Sequence, residues 1–348
     1  MTLRNLLEKG IVTIARLPKS NDFLFQEGKL DLKKLDELEA YTVPIIGHDY
    51  GAKTPLMWNA VYTKLDLPIR NIMVIGNPEE AKKILEDLRL DPKYIGGGAG
   101  VGFKEKVIPC LDEVRPSDLK AVNIIVKEKD KLVGYNTDAL GFVKSLEEAL
   151  ARVDKKIDGC NFVIYGAGGV AKEVTKLLAK EKAGRIRIVN RTFSKAVALA
   201  NYLNENYYQV AEGLGEELSR GAVLNSQIKV DALINLSDKG SDGELVNTAM
   251  FASDDEYNES ESRNLLRYLK NLRPDTIIAD IVLPETQPSV SLRLAKAENL
   301  ENLLDGKPMV INQAAPAYVH IQDAHPEIHA KKVTKEEALK IFKEAANN

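Results

Sequence analysis

The chain has 348 residues, of which 44% are hydrophobic and 28% are charged, and this length and composition predict a globular protein with two domains. With a formal net charge of −3, we expect neither a nucleic-acid nor a membrane partner. The two cysteines imply no disulfide framework, and the opening MTLRNLLEKGIVTIARL is too polar for a signal peptide or a membrane span, which predicts a cytoplasmic protein.

Residues 1–40 are predicted to form an N-terminal extension that contains one helix, DLKKLDELEAY. From residue 41 onward, short apolar runs alternate with helical patterns. The runs VPIIG and IRNIMVIG are typical of strands, whereas TPLMWNAVYTKL and NPEEAKKILEDLRL predict helices with a proline in the first turn. VNIIVKEKDKLVGY predicts a hairpin that turns at Lys129-Asp130. The alternation indicates an α/β domain with a largely parallel sheet.

A glycine-rich run, YIGGGAGVGFKEKV, lies between these elements and ends near Lys104. Such a run is typical of a phosphate-binding loop, but that loop requires the lysine directly after the last glycine and a serine or threonine after the lysine. Here Phe103 separates Gly102 from Lys104, and Glu105 follows. We therefore expect Lys104 to serve a purpose other than phosphate binding.

A stronger nucleotide motif begins a second α/β pattern, in DGCNFVIYGAGGVAKEV. Gly166, Gly168 and Ala171 fit G-x-G-x-x-[GA] between an apolar strand and a helix, which is the context that a dinucleotide requires. The helix N-terminus would present unpaired N–H groups to the phosphates. The cofactor contacts predicted on this segment are Gly166, Ala167, Gly168, Gly169, Val170 and Ala171.

The next strand, RIRIV, indicates which dinucleotide binds. An NAD site carries an acidic residue about 20 residues after the motif. Here the strand ends in Asn190, Arg191 and Thr192, with Lys195 nearby and no acid. Cationic and hydroxyl groups suit a 2′-phosphate, so we predict that these four residues contact NADP(H). The alternative is that Arg191 and Lys195 are solvated residues at a helix start.

The rest of the chain holds two further strands, VDALINLS and DTIIADIVL. The acidic stretch between them, near residues 241–272, is long for a connection and is predicted to be a surface insertion or a mobile flap. Thr334 and Glu337 fit a capping box at the start of a terminal helix. Three late histidines, His320, His325 and His329, do not predict a metal site, because Pro326 interrupts any shared helical face.

Several motifs follow one another in order along residues 44–320. By itself, Asn136-Thr137-Asp138 is typical of a helix cap, but with its neighbours the segment fits G-x-N-T-D-x-x-G-F. The other motif residues are Thr54–Asn59, Lys104–Asp112, Ala121–Asn123, Gly166–Ala171, Asn190–Thr192 and Gln313. Together these motifs resemble those of the shikimate dehydrogenase family.

The resemblance implies an α/β fold with two domains and a cleft between them. One is an α/β substrate domain, residues 41–142 with 314–348, and the other is a Rossmann-type NADP-binding domain, residues 143–313. Carried over residue by residue, Lys104 and Asp138 correspond to the catalytic pair, and Thr54, Asn123 and Gln313 to substrate contacts. Asn235 corresponds to a cofactor contact. The implied protein is a monomer or a homodimer that acts on a small cyclic hydroxy-carboxylate.

The implied activity is NADPH-dependent reduction of 3-dehydroshikimate to shikimate or of a related keto-carboxylate. A lysine next to a carboxylate holds its proton at neutral pH, so it is a proton donor and this favours reduction. The alternative interpretation is that Lys104 is an ordinary exposed lysine, as most lysines are.

The sequence departs from the family at the substrate end. The departures are Ala52 and Gly100 in place of hydroxyl residues, Gly102 in place of proline, Leu283 in place of tyrosine, and residues 235–241. Lys53 or His48 is hypothesised to replace a lost partner of the substrate carboxylate. Two alternatives therefore stay open: a quinate or other polyol-acid dehydrogenase, and a catalytically silent NADP or metabolite sensor.

Overall fold

The computed structural model describes residues 2–15, 23–26, 29–49, 53–215, 229–241, 245–251, 263–282 and 287–347. The chain divides into two compact units, the first formed by Met1–Thr137 with Gln313–Asn348 and the second by Asp138–Asn312. The boundaries expected from the sequence lie after residues 142 and 313. Within the described ranges, no helix combines the length and apolar character needed to cross a membrane.

The first unit is a mixed α/β structure. Its described elements before residue 138 are α1 (Leu3–Glu8), β1 (Val12–Ile14), β2 (Phe25–Gln26), β3 (Lys29–Leu30), α2 (Lys33–Asp36), β4 (Ala40–Thr42), β5 (Ile45–Ile46), α3 (Thr54–Lys64), β6 (Ile69–Asn71), β7 (Val74–Gly76), α4 (Ala81–Arg89), β8 (Tyr94–Gly98), β9 (Glu113–Val114), β10 (Ile124–Glu128) and β11 (Lys131–Tyr135). Among these, the larger sheet has the order β6-β4-β8-β10-β11-β9, and a smaller one has the order β1-β7-β5. The predicted hairpin is confirmed, since β10 and β11 pair antiparallel around Lys129, whose φ is +57°.

The N-terminal segment contributes to the core of this unit. Leu3 and Leu6 on α1 are fully buried, and they join the same apolar cluster as Leu88 of α4. β1 pairs antiparallel with β7. The apolar run IRNIMVIG, predicted as one strand, forms β6 and β7 in different sheets. The single-strand prediction is therefore wrong: Ile72 N–H donates to Thr42 O, whereas Val74 N–H donates to Pro44 O, so the chain changes partner within the run.

The glycine-rich run forms strand β8 because neighbouring backbone approaches it closely. A Cβ added at Gly97 would lie 2.1 Å from the carbonyl oxygen of Val43, and Gly96 has a φ of +139°. Only glycine satisfies both conditions without strain. These glycines therefore serve strand packing and not phosphate binding.

The second unit is a Rossmann-type structure. Its described elements are α5 (Asp138–Ala151), β12 (Asn161–Tyr165), α6 (Gly169–Lys180), β13 (Arg185–Asn190), α7 (Phe193–Asn206), β14 (Ala211–Gly215), β15 (Ala232–Asn235), α8 (Arg263–Leu269), β16 (Ile277–Asp280), α9 (Val290–Ala297) and β17 (Leu303–Leu304). Along the described strands the order is β14-β13-β12-β15-β16-β17, and each neighbouring pair is parallel. This is the order 3-2-1-4-5-6 of a dinucleotide-binding sheet, with the switch point between β12 and β15.

Two further described helices follow β17. α10 (Lys307–Ala324) runs across the boundary at residue 313, and α11 (Lys335–Asn347) packs on α3 within the first unit. The predicted capping box is confirmed: Thr334 N–H donates to Glu337 Oε2 at 2.8 Å, and Glu337 N–H donates to Thr334 Oγ1 at 3.1 Å. Parts of the predicted insertion, residues 242–244 and 252–262, lie outside the described residues, whereas Phe251 beside them stacks on Tyr268 in the core.

Candidate active site

Three side chains, two that flank the β10–β11 hairpin and one from α10, form one hydrogen-bonded cluster in the first unit. Asn123 Nδ2 donates to Thr137 Oγ1 at 3.0 Å and to Gln313 Oε1 at 3.1 Å, and the Thr137 hydroxyl donates to Gln313 Oε1 at 3.0 Å. Thr137 N–H also donates to Asn123 Oδ1 at 2.9 Å. The structure therefore brings together two predicted substrate residues, Asn123 and Gln313. The third member, Thr137, was recognised only as part of a motif.

Backbone hydrogen bonds fix the segment that carries Asn123. Its N–H donates to Tyr135 O at 3.0 Å, and its carbonyl accepts from Ala99 N–H at 2.9 Å. Next to it, Val122 N–H donates to the carbonyl of Lys104 at 2.8 Å. Lys104 is thus held beside Asn123 through its backbone, and its side chain is half-buried.

The turn before Lys104 is shaped by glycines. Gly100 N–H donates to Ile45 O, and Val101 O accepts from Gly47 N–H, both at 2.9 Å. Gly102 has a φ of +82°, which a proline cannot adopt because its ring fixes φ near −65°. With glycine at the family's proline position, this turn therefore has a backbone conformation that a proline there would not allow.

The remaining predicted substrate-side positions lie on other elements or outside the described residues. Thr54 is the first residue of α3, and among the described residues no side-chain hydrogen bond joins it to Asn123, Thr137 or Gln313. The Lys53 ammonium donates to the carbonyl oxygen of Ala346 in α11, so it caps a helix C-terminus. His48 is exposed, and Ala52 and Leu283 lie outside the described residues. Asp138 is buried as the first residue of α5.

The predicted dinucleotide loop has the required shape in the second unit. α6 begins at Gly169, directly after β12 and a turn at Gly166, whose φ is +116°. Among the described residues, a Cβ added at Gly168 would meet no atom within 4 Å, so the backbone there is open to a ligand. The first N–H groups of α6 have no partner within the helix. An open turn and unpaired donors fit a pyrophosphate.

The end of β13 carries the predicted 2′-phosphate residues. Arg191, Thr192 and Lys195 are exposed around the start of α7, and Asn190 Nδ2 donates to Thr192 O at 3.0 Å, which stabilises the turn between them. Two cationic side chains and a hydroxyl thus share one surface. This composition suits a phosphate group.

Asn235, predicted as a cofactor contact, lies inside the protein. It is fully buried, and its Nδ2 donates to Lys239 O at 2.9 Å and to Asp280 Oδ1 at 3.0 Å. Its Oδ1 accepts from the N–H and the hydroxyl of Ser237, at 3.1 and 2.7 Å. These four bonds use both amide protons and both acceptor positions. The side chain of Asn235 can therefore act on a cofactor only through its neighbours.

The late histidines make separate contacts within the first unit. His320 stacks on Tyr135, His325 Nε2 lies 3.2 Å from Ile95 O, and His329 Nδ1 lies 2.9 Å from His325 O. Across the part of the chain that the structure describes, no group of three or more histidine, cysteine or acidic side chains is placed to hold a metal ion.

Comparisons with known proteins establish the family. The model of the Shikimate / quinate 5-dehydrogenase family matches residues 147–234. A shikimate dehydrogenase (NADP(+)) from Halothermothrix orenii is 31% identical over 294 residues, which cover 84% of this chain and 94% of that protein. The chain belongs to the shikimate dehydrogenase family. The resemblance predicted from the sequence motifs is thus confirmed.

Other members of the shikimate dehydrogenase family show the same relationship. The shikimate dehydrogenase (NADP(+)) of Methanocaldococcus jannaschii is 29% identical over 83% of this chain and 94% of its own. A crystal structure of a shikimate dehydrogenase with NADP⁺ has a TM-score of 0.62 and 24% identity, covering 88% of this chain and 95% of the other. The Listeria monocytogenes shikimate 5-dehydrogenase, with shikimate and NAD, has a TM-score of 0.63 and 21% identity, covering 87% and 96%. These structures show that the predicted two-domain α/β fold is shared.

Proposed function

We propose that this family member reduces 3-dehydroshikimate, or a closely related cyclic keto-carboxylate, with NADPH. The cluster of Asn123, Thr137 and Gln313 carries this proposal, because a distant helix brings Gln313 to the hairpin residues that the family motifs single out. The names of the curated relatives, each a shikimate dehydrogenase (NADP(+)), support the same substrate and cofactor.

The proposed cofactor site lies at the carboxyl end of the second unit's sheet. The N-terminus of α6 would hold the pyrophosphate, because its open turn at Gly168 and unpaired N–H groups fit an anion. Arg191, Thr192 and Lys195 would hold the 2′-phosphate through charge-assisted hydrogen bonds. When bound, NADPH supplies the hydride that adds to the carbonyl carbon of the substrate.

Lys104 is the proposed proton donor. As the π electrons of the C=O bond move onto oxygen, the Lys104 ammonium donates a proton there, and the developing negative charge is neutralised. The resulting amine regains its proton from solvent. Asp138 is proposed, from its place in the Asn-Thr-Asp motif, as the carboxylate that favours the charged lysine. Asn123 and Gln313 are proposed to orient the ring hydroxyls of the substrate.

The turn at Gly100–Gly102 favours a second candidate substrate. Gly100 offers no hydroxyl, and the positive φ of Gly102 gives this turn a backbone that the family's proline does not allow. Each missing hydroxyl removes about 0.5–1.5 kcal/mol of net binding, and more where its partner is charged. Quinate or another polyol acid is therefore the second candidate.

A reaction assay with two matched lysine variants tests the proposal. The parent is given NADPH with 3-dehydroshikimate, or NADP⁺ with shikimate or quinate, and the nicotinamide absorbance is followed. Lys104→Ala is expected to lower kcat by about 10²–10⁴-fold, the usual contribution of a positioned acid or base. Lys106→Ala is the control, because Lys106 is exposed and pairs with Glu79 at 2.7 Å.

The outcomes separate the alternatives. A Lys104→Ala variant that keeps the parent rate would overturn the lysine mechanism. Faster turnover of quinate than of shikimate would favour the second candidate substrate. A parent protein that binds NADPH tightly but turns over no cyclic acid would instead be the catalytically silent sensor.

A further inference from the structure

Asn235 and Asp280 face each other where two adjacent strands of the second unit end. β15 and β16 pair in parallel with Asn235 opposite Asp280, and the two side chains are joined by the 3.0 Å hydrogen bond from Asn235 Nδ2. Both residues are fully buried. They lie beside the switch point of the sheet, at the carboxyl edge where open α/β sheets bind their ligands.

The Asp280 carboxylate is held entirely by neutral donors. Its Oδ1 accepts from Val282 N–H at 3.1 Å as well as from Asn235, and its Oδ2 accepts from the Ser289 hydroxyl at 2.6 Å. No lysine or arginine within the described ranges forms an ion pair with it. A buried carboxylate without a cationic partner is costly to maintain, and here the neutral donors supply its hydrogen bonds.

The turn formed by residues 236–240 is clamped between this pair and the dinucleotide loop. On one side, Leu236 N–H donates to Tyr165 O at 2.8 Å, and a Cβ added at Gly166 would lie only 2.8 Å from Leu236 O. On the other side, Gly240 has a φ of +90°, and a Cβ there would lie 3.2 Å from Cβ of Ser289. Any shift of the turn therefore displaces either the Gly166 backbone or the Asp280–Ser289 contact.

We propose that Asp280 and Asn235 are positioning residues for the cofactor: they hold the 236–240 turn against Gly166 and so fix the backbone that receives the dinucleotide. This role rests on the proposed function, because it needs a dinucleotide at this edge. Asn235 orders the turn from inside through Ser237 and Lys239, and Asp280 anchors Asn235.

Two substitutions at Asp280 separate shape from charge. Asp280→Asn keeps the shape, since its amide oxygen can accept from Asn235 and Val282 while its NH₂ donates to the Ser289 oxygen. Asp280→Ala removes all three hydrogen bonds and leaves Asn235 Nδ2 without its acceptor on residue 280. A positioning role therefore predicts that Asp280→Ala loses affinity for NADPH and that Asp280→Asn keeps it.

Asp231→Asn is the matched control for general loosening of the sheet. Asp231 is also a buried aspartate, and it stands directly before β15, at the opposite end of the same strand. It contacts Lys155 at 3.0 Å and Arg273 at 3.1 Å, far along the strand from the cofactor edge. Its substitution disturbs the same sheet without touching the 236–240 turn.

The measurement is the Kd of NADPH, followed by the fluorescence of the bound dinucleotide at a temperature where circular dichroism shows each variant folded. We expect Asp280→Ala to raise the Kd about tenfold, equivalent to about 1.4 kcal/mol. Asp280→Asn is expected to stay within about twofold of the parent. Asp231→Asn is expected to lower the unfolding temperature and leave the Kd unchanged. In turnover, the Asp280→Ala effect should appear in the KM for NADPH and not in kcat at saturating NADPH.

Parent-like affinity in folded Asp280→Ala, or equal weakening in Asp231→Asn, overturns the positioning role. If Asp280→Ala does not fold, Ser289→Ala replaces it, since it removes a single bond. About threefold weaker binding then supports the role, and parent-like binding overturns it. A parent that binds neither NADPH nor NADH overturns the proposed function together with this role, whereas tight parent binding with unaffected variants overturns this role alone.

Discussion

The imidazole ring of His320 stacks on the phenol ring of Tyr135, with the ring centroids 4.2 Å apart and the planes inclined by 16°. His320 lies two turns after Gln313 on α10, and Tyr135 lies two residues before Thr137. The helix therefore contacts the Asn-Thr segment at two points, through Gln313 with Thr137 and through His320 with Tyr135. The stack fixes the register between the two elements that supply the polar cluster.

The burial of His320 makes the stability of the protein depend on pH in a defined direction. Burial lowers the pKa of His320, so the folded protein favours the neutral ring. The stabilising contribution is present above the unfolded pKa, near 6.5, and is lost as pH falls through the lowered folded pKa. We expect the unfolding free energy of the parent to drop between pH 7.5 and 5 relative to that of His320→Phe, which keeps a stacked ring without a titrating group.

Urea unfolding at several pH values measures that difference, with His320→Ala showing what loss of the stack costs. His329, whose pKa burial also lowers, titrates in parent and variants alike and cancels in the comparison. A parent–His320→Phe difference that is the same at pH 5 and 7.5 would contradict the assignment.

Thr137→Val is predicted to lower both the catalytic efficiency and the stability of the protein. The valine keeps the volume but removes the hydroxyl that donates to Gln313 Oε1 and accepts from Asn123 Nδ2. Each lost bond removes about 0.5–1.5 kcal/mol of unfolding free energy. Gln313 then loses one of the partners that orient its amide, so kcat/KM for the cyclic substrate is expected to fall about tenfold.

Thr137→Ser is the control for this prediction, because it retains the hydroxyl. Steady-state kinetics with saturating NADPH measure kcat/KM, and thermal unfolding measures stability. Equal kcat/KM in the valine and serine variants would show that the hydroxyl network does not orient the substrate.

Local sequence rules predicted the elements whose causes are local. The turn at Gly166, the hairpin at Lys129 and the capping box at Thr334 depend on residues within a few positions of each other, and each formed as expected. The strand–turn–helix pattern around residues 161–190 indicated the dinucleotide-binding unit, but not its strand order. Family motifs predicted Asn123 and Gln313 as substrate contacts, and no spacing rule connects these residues, which are 190 positions apart.

Features set by distant backbone were not predictable. The run from Ile69 to Gly76 contains no proline and no glycine before Gly76, and its separate partners at Thr42 and Pro44 divide it between two sheets. The role of Asn235 depends on Asp280, 45 residues later, because that carboxylate takes up the amide proton that a cofactor contact would need. The sequence pointed to Asn235 as a site residue, but it did not show that every donor and acceptor of its amide is already used within the protein.

Arg191→Ala is predicted to reduce the preference for NADPH over NADH. The charge-assisted bond to the 2′-phosphate is worth about 1.5–3 kcal/mol, so the KM for NADPH should rise about 10- to 100-fold while that for NADH changes little. Arg185→Ala is the control, because Arg185 begins the same strand at its other end and pairs with Glu212 at 3.1 Å.

The two KM values, measured for parent and variants at 50 and 300 mM salt, test this assignment. Because salt screens exposed charges, the parent's preference for NADPH should shrink at the higher concentration, and the preference of Arg191→Ala should change less. An equal rise in both KM values would place Arg191 outside the 2′-phosphate site.

Asp280 is predicted to give the opposite pH dependence to His320. Burial raises the pKa of Asp280 to about 6 from an ordinary 3.8, the Asp305 charge adds to the rise, and the bonds from Ser289, Val282 and Asn235 only partly offset it. Because the folded pKa is raised, the contribution of Asp280 to the unfolding free energy is fully present below pH 3.8. It is lost as pH rises through 6. Relative to the parent, Asp280→Asn should therefore gain about 2 kcal/mol of unfolding free energy between pH 4.5 and 7.5. Urea unfolding of both proteins measures it, and a gain that does not change with pH would mean that Asp280 titrates normally and that its burial carries no electrostatic cost.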